Sequence, residues 1–254
     1  MAILKAEAIV LKKWDFRETS LIVNFYTLEY GKVSGLLKGI RKEPAKFASN
    51  VELFSHNDII FYQKRNSSIH LVSQCDLKDN FSAIRQSIHR IAAASMVVEL
   101  LDGIMAQEDK NEEIFKLSLA ALSELSSNNN PDKIMIIFKV KVLSLSGFKP
   151  HLDSCVTCNS SLSGQTKFSL NLGGLLCQKC AARDTFARSI FRGTVATILH
   201  IEKNEFRNTL NLGINPQIKK ELDIILNSFL NYHLGKELKS QKVIAELEKA
   251  GALL

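Results

Sequence analysis

Along the first 75 residues, apolar side chains fall in short runs separated by polar or glycine turns, and after residue 79 the spacing changes. Runs at 7–12, 21–26, 32–38, 51–55, 58–63 and 69–74 predict five or six short strands. Gly35 inside the third run predicts a bulge or a close backbone approach. Residues 64–68, Lys-Arg-Asn-Ser-Ser, predict a hairpin tip. Strands this short and numerous suit a small closed barrel, because closure leaves no exposed edge.

Beyond Asp79 the period lengthens to that of helices. Ile84, Ile88, Ile91, Ser95 and Val98 step along one predicted face, and Phe115, Leu119 and Leu122 mark a second helix. Asn130-Pro131 predicts a helix start, since proline at the first position forfeits no hydrogen bond. That helix is expected to end near Gly147, ahead of Pro150. Leu222, Ile225, Leu226, Phe229 and Leu230 mark a later one. The expected class is α+β, with a β-barrel domain at 1–80 and a helical domain at 81–254 carrying a cysteine-bearing insert at 154–182.

Length and composition narrow the picture. A chain of 254 residues fits two domains and needs no disulfide to complete its core. Hydrophobic residues at 46% and charged residues at 23% exclude collagen-like, coiled-coil and disordered classes. No run of 18 apolar residues occurs; the apolar stretch 134–145 carries Lys139 and Lys141, so a membrane span is not expected. Lys5 and Glu7 stand where a signal peptide needs its apolar core, which points to the cytoplasm. The net charge of +7 divides as +3, +1 and +3 over residues 1–80, 81–180 and 181–254, and such an excess suits a polyanion.

Four of the five cysteines form two matched pairs, Cys155-Val156-Thr157-Cys158 and Cys177-Gln178-Lys179-Cys180, 18 residues apart. Two residues between thiolates let one tight turn present both to a single ion, and two such turns complete a tetrahedron. The predicted ligands of a structural Zn2+ are Cys155, Cys158, Cys177 and Cys180, with 167–176 as a hairpin joining the knuckles. Four protein ligands leave no open position for catalysis. Cys75, alone on a predicted strand, reads as packing. His151 lies close to the first knuckle, but the cysteines already fill the shell. Phosphate-loop, dinucleotide, metalloprotease and serine-hydrolase patterns are missing, and the histidines are scattered, so the reading is a binding protein and not an enzyme. In the barrel half the densest basic stretch is 38–46, with Lys38, Arg41, Lys42 and Lys46. A basic loop suits phosphates, and Trp14, Phe16 and Phe47 are candidates to stack on unpaired bases.

Several segments resemble, in order, the RecO family of bacterial recombination mediators. They are Glu7-Ala8-Ile9-Val10-Leu11, Arg17-Glu18-Thr19-Ser20-Leu21-Ile22-Val23, Phe25-Tyr26-Thr27-Leu28-Glu29-Tyr30-Gly31 and Lys38-Gly39-Ile40-Arg41. Gly173-Gly174-Leu175-Leu176-Cys177 and His233-Leu234-Gly235-Lys236-Glu237-Leu238-Lys239-Ser240 follow the same family downstream. The resemblance implies a barrel of the OB type and a helical C-terminal domain. It also implies binding of single- and double-stranded DNA, annealing of complementary strands, and action with RecR, in some cases RecF, to load RecA. The DNA would be coated by single-strand-binding protein, whose acidic tail the family docks. By family matching, Lys38 and Arg41 fall on basic positions tied to DNA binding; Arg17 and Lys42 are added from charge and proximity. Lys219, Lys220 and Arg207 are the candidate contributors to the tail pocket that the resemblance implies. The implied location is the cytoplasm, at the nucleoid. The rival readings are a zinc-ribbon transcription or translation factor and, less favoured, a nuclease or ligase-like enzyme on the same barrel.

Overall fold

A computed structural model describes residues 2–42, 47, 51–64, 66–127 and 130–249. Five strands form a closed barrel: β1 (Ala2–Phe16), β2 (Ser20–Thr27), β3 (Gly31–Leu37), β4 (His56–Gln63) and β5 (Ile69–Asp79). Around the barrel the order is β1-β2-β3-β5-β4, antiparallel except for the parallel β3–β5 pair, and β1 closes on β4. This is the OB topology.

Alternation along β1 builds the interior. Ala6, Ala8 and Val10 join Val23, Phe25 and Phe61 in the barrel core, while Ile9 and Leu11, of opposite parity, are buried outside it. Cys75 is in the same core. Gly35 is a close approach and not a bulge. A Cβ there would meet Val72 Cγ2 at 2.4 Å and Phe25 Cε2 at 3.2 Å, and the β2–β3 register runs through without a shift.

The predicted strand at 51–55 is not one. Phe54 takes φ +70°, which turns the chain out of extension. Instead, Phe54 N–H donates to Val10 O and Val10 N–H to Ser55 O, both at 3.1 Å, where β1 itself shifts register between Val10 and Lys12. The segment plugs an irregularity in β1. The predicted tip at 64–68 joins β4 to β5, and its Arg65 lies outside the described residues.

Next come α1 (Ile88–Ile104), α2 (Glu112–Ser127) and α3 (Pro131–Leu145), the last starting on the predicted proline. The predicted face of the first helix is wrong in part. Ile84 belongs to a separate 3-10 turn at Ser82–Gln86, and Ile88 is exposed. Ser87, extended at φ −138°, breaks the phase between them, and Ala92, Ala93 and Ala94 form part of the buried side that the period missed. The chain falls into two compact units, 1–131 with 238–254 and 132–237. The change from strands to helices comes at residues 79–82, but α1 and α2 belong with the barrel.

In the first unit α1 lies against β1, and a clamp holds it. Lys12 Nζ meets Asp102 Oδ2 at 2.5 Å, and Lys32 Nζ donates to Asp102 O at 2.8 Å. The chain after α1 runs over Gly31, whose φ is +64° and whose absent Cβ would stand 2.4 Å from Asp109 O. Within the barrel, Glu7 of β1 pairs with Lys78 at 2.8 Å and with His56 Nε2 at 3.1 Å. The Lys78 hydrogen bond holds the Glu7 carboxyl below its usual range, while burial holds the His56 imidazole below its own. The last helix of the chain, Lys239–Lys249, returns to this unit, and its N-terminus is capped from α1. Glu99 accepts from Lys239 N–H at 2.8 Å and from Ser240 N–H at 2.9 Å.

The second unit is centred on α3. Ile134, Ile137, Phe138, Val140 and Val142 are all buried. Lys139, 3% exposed, is carried by Asn227 Oδ1 at 2.8 Å and Asp223 at 3.7 Å. Phe148 N–H donates to Leu143 O and Gly147 N–H to Ser144 O, the Schellman end that Gly147 at φ +80° permits. A three-stranded sheet follows, ordered β7-β6-β8, from β6 (Lys167–Ser169), β7 (Gly174–Leu176) and β8 (Arg188–Ser189). The predicted hairpin is the β6–β7 pair. Three helices complete the unit, α4 (Arg192–Lys203), α5 (Phe206–Thr209) and α6 (Pro216–Leu234); the last helix, at 239–249, is therefore α7. Asn215 caps α6 by accepting from Ile218 N–H at 2.8 Å. Among the described residues no helix is long and apolar enough to cross a membrane.

Candidate nucleic-acid interface and metal centre

The turn between β1 and β2 and the loop after β3 meet at one end of the barrel. The β2–β3 register sets Leu21 opposite Leu37, so residues just before β2 adjoin residues just after β3. Arg41 N–H donates to Thr19 O at 3.1 Å, and Gly39 N–H reaches Ser20 Oγ at 3.4 Å. Arg17, Lys38, Arg41 and Lys42 are thereby brought to the same end. Arg17, Lys38 and Lys42 are open to solvent, and the Arg41 side chain is 38% exposed.

They are not equivalent. Arg17 sits at φ +53° with its guanidinium 5.2 Å from the centroid of the Phe16 ring, a cation–π contact that keeps the aromatic face covered. Arg41 is ion-paired with Asp15 and donates to Glu18 O at 3.4 Å. Part of its charge is therefore answered locally, which counting cations along the chain does not show. Lys42 N–H closes a turn on Gly39 O at 3.0 Å. The rest of the predicted basic loop, residues 43–46 with Lys46, lies outside the described residues.

Of the three stacking candidates, Trp14 on β1 is 44% exposed and Phe16 is half-buried. Phe47 is 1% exposed and belongs to the barrel core, so it is not available to a base. Among the cations considered for a tail pocket, Lys219 is engaged by Asp132 at 2.5 Å, while Lys220 and Arg207 are exposed.

The four paired cysteines converge. Their sulfurs all lie within 4.8 Å of one another, and Cys158 Sγ is 3.7 Å from Cys177 Sγ. Around a tetrahedral ion with sulfur about 2.3 Å away, neighbouring sulfurs stand about 3.8 Å apart, so the cluster fits one ion. Local backbone makes the knuckles. Asn159 at φ +55° turns the first, with its N–H on Cys155 O at 2.8 Å, and Cys180 N–H closes the second on Cys177 O at 3.0 Å. The β6–β7 hairpin brings them together, and Gly174 is required because a Cβ there would stand 2.5 Å from His151 O. Burial pushes the Cys155 thiol up, but backbone N–H groups of Cys177, Cys158 and Thr157 outweigh it and bring it down to about 6. The Cys180 N–H likewise holds the Cys177 thiol below its usual range, whereas the Cys158 side chain pushes Cys180 up to about 12. Backbone N–H groups aimed at the sulfurs favour thiolates at Cys155 and Cys177, the form that binds metal. His151 Nε2 is occupied by Ser154 Oγ at 2.7 Å, outside the cluster.

A barrel of OB topology that exposes cations at one end, with a helical part bearing a four-cysteine ribbon, defines an α+β class of small-barrel protein. Comparison with known proteins narrows that class. The model for the N-terminal part of recombination protein O matches residues 1–81, and that for its C-terminal part matches residues 85–242. The DNA repair protein RecO of Syntrophus aciditrophicus (strain SB) is 30% identical over 253 residues, covering 97% of each chain. That of Desulforamulus reducens is 32% identical over 251 residues, covering 98% of this chain and 97% of its own. That of Desulfatibacillum aliphaticivorans is 32% identical over 248 residues, covering 95% and 96%. The chain belongs to the recombination protein O family, the DNA repair proteins named RecO.

Proposed function

We propose that this protein is a DNA recombination mediator that works by binding alone. It holds single- and double-stranded DNA, anneals complementary strands and, with RecR, helps load RecA onto DNA coated by single-strand-binding protein. The observation that carries the reading is the meeting of Arg17, Lys38, Arg41 and Lys42 at one barrel end, in a chain of the recombination protein O family. Phosphates bound there release condensed counterions, which drives association without nucleotide. Two strands held on one molecule pair at high effective concentration. No covalent step is required of any residue. Contact with the acidic tail of the coating protein directs the chain to occupied single strands; RecF is a further partner, and the site of action is the nucleoid in the cytoplasm.

Cys155, Cys158, Cys177 and Cys180 hold one Zn2+ in this reading. The ion supplies no reaction chemistry; it closes the ribbon and fixes the hairpin between its knuckles.

The test is annealing of two labelled complementary strands, bare and coated with cognate single-strand-binding protein, without nucleotide. Acceleration on coated strands that disappears when the coating protein's acidic tail is deleted is the expected result. No acceleration on either form would withdraw the mediator function and return the chain to a basic zinc-ribbon nucleic-acid-binding factor.

A further inference from the structure

We propose that the β8 edge of the cysteine ribbon is a second site for unpaired nucleic-acid bases, with Phe186 and Phe191 as stacking platforms and Arg188 and Arg192 as phosphate contacts. It rests on the reading that the chain binds DNA and adds a location in the second compact unit that no residue of the barrel contributes to.

Exposure is the first observation. Phe186 is 82% exposed and Phe191 54%, within a stretch of six residues. Phenylalanine is ordinarily buried, so two such rings flanking a two-residue strand are a feature to be explained.

The rings are also positioned. Phe186 N–H donates to Asp184 Oδ1 at 2.9 Å, and the other Asp184 oxygen accepts from Ser169 Oγ at 2.5 Å. Phe191 N–H donates to Glu221 Oε2 at 3.1 Å, and Thr194 Oγ1 holds the same oxygen. Each backbone that presents an exposed ring is thus pinned by a carboxylate. Those two carboxylates are spent on the scaffold.

Two clefts flank β8. One, of about 340 Å³, is lined in part by Phe168, Phe186, Arg188 and Ile224. The other, of about 290 Å³, is lined in part by Ser189, Phe191, Arg192 and Glu221. Consecutive strand residues Arg188 and Ser189 face different clefts, as alternation in a strand requires. Their walls mix apolar surface with Asn171 and Ser228 in one and Gln165 and Thr166 in the other, which offer hydrogen bonds to base edges.

Charge selects the occupant. Residues 164–192 carry Lys167, Lys179, Arg183, Arg188 and Arg192 against Asp184, and Glu221 is the further acid lining a cleft; both carboxylates are held by backbone N–H and hydroxyl donors. Aromatic faces interleaved with guanidinium groups are the arrangement that holds single strands, by stacking and by phosphate contact together. Two small clefts with polar walls, separated by a strand, suit successive bases better than the continuous apolar groove that a peptide helix needs.

The experiment uses the full-length protein and oligo-dT carrying 5-iododeoxyuridine. Photocrosslinks are mapped, and affinity is measured for oligo-dT and for a duplex of equal length. Crosslinks at Phe186 and Phe191 are expected. Phe186→Ala with Phe191→Ala should weaken oligo-dT binding on the order of tenfold, since two bases no longer stack. Phe186→Trp with Phe191→Trp should keep it, and duplex affinity should not change. Both rings are exposed, so the alanine pair leaves the fold intact, and bound zinc per chain is measured alongside as a control. Wild-type oligo-dT affinity in the alanine pair, with no crosslink between residues 184 and 192, overturns the proposal. So does an alanine pair that keeps DNA affinity but no longer binds an acidic C-terminal peptide of single-strand-binding protein, which makes the edge a peptide site. Lys38→Ala with Arg41→Ala is run in parallel. If it alone weakens DNA binding, only the ribbon site fails; if neither variant does, the barrel-end assignment fails with it, and no oligo-dT binding by the wild type withdraws the DNA-binding reading itself.

Discussion

Replacing Lys38 and Arg41 together by alanine removes two of the four cations that the structure gathers at the barrel end. For single strands, every phosphate that goes unneutralised lowers the slope of log affinity against log salt by about 0.7, so the pair should lower it by about 1.4. Measured from about 1 M salt, where counterion release contributes nothing, this is roughly a 25-fold weaker affinity at about 0.1 M. The structure adds a prediction of opposite sign. Asp15 pairs with Arg41, and the two side chains are 74% and 38% exposed. An ion pair that open to solvent is worth less than about 1 kcal/mol, or a factor of about five. Asp15→Asn frees Arg41 for phosphate and should raise single-strand affinity by up to about fivefold, with a steeper salt slope. Fluorescence anisotropy of a labelled oligo-dT, titrated across a salt series for the three proteins, reads both effects. A double alanine variant with the wild-type slope, or an Asp15→Asn variant that binds more weakly, would refute the assignment of this barrel end to phosphate.

Elemental analysis of the purified protein should find one zinc per chain. Cys177→Ser should lose it and unfold the ribbon, seen as new protease cleavage within 155–190, while oligo-dT still binds through the barrel. The barrel should be less stable in mild acid. Burial favours the neutral His56 ring, so the unfolded chain takes up a proton first as pH falls through 6.5, and stability drops until the lower folded pKa is reached. A thermal melt series of His56→Gln against wild type tests this, and an equal pH dependence between 5 and 6.5 in the two proteins would count against it. Glu99→Gln weakens the cap of α7, where the carboxylate accepts from two backbone N–H groups and the Ser240 hydroxyl. A destabilisation of about 1–2 kcal/mol is expected, with faster amide exchange confined to 239–249, and unchanged exchange there would sink the cap.

The four cysteines are fully legible in the chain, because a knuckle is a local structure: two residues between ligands fix how both sulfurs reach one point. Local too are the β6–β7 hairpin, the start of α3 at Pro131 and its end at Gly147, where backbone restrictions of single residues act. Period carries β3, β4 and β5, where burial alternates along the strand, while β1 and β2 are buried on both faces and read as apolar runs. Period fails where the tertiary structure overrides it. An apolar run at 51–55 becomes a plug because β1 shifts register beside it, and the expected face of α1 turns because the extended Ser87 breaks the phase. Phe47 reads identically as a stacking ring or a core ring, and only closure of the barrel places it inside. Arg17 and Arg41 stand far apart in sequence, and the β2–β3 register joins them. The β1–β2 pairing, which sets Asp15 opposite Leu21, brings Asp15 to Arg41, and long-range docking brings Glu99 to α7. Composition and spacing report what each segment does with its own backbone. Which charges are neighbours, and which aromatic rings remain in water, is decided by contacts between segments, whose free energy no short window of sequence contains.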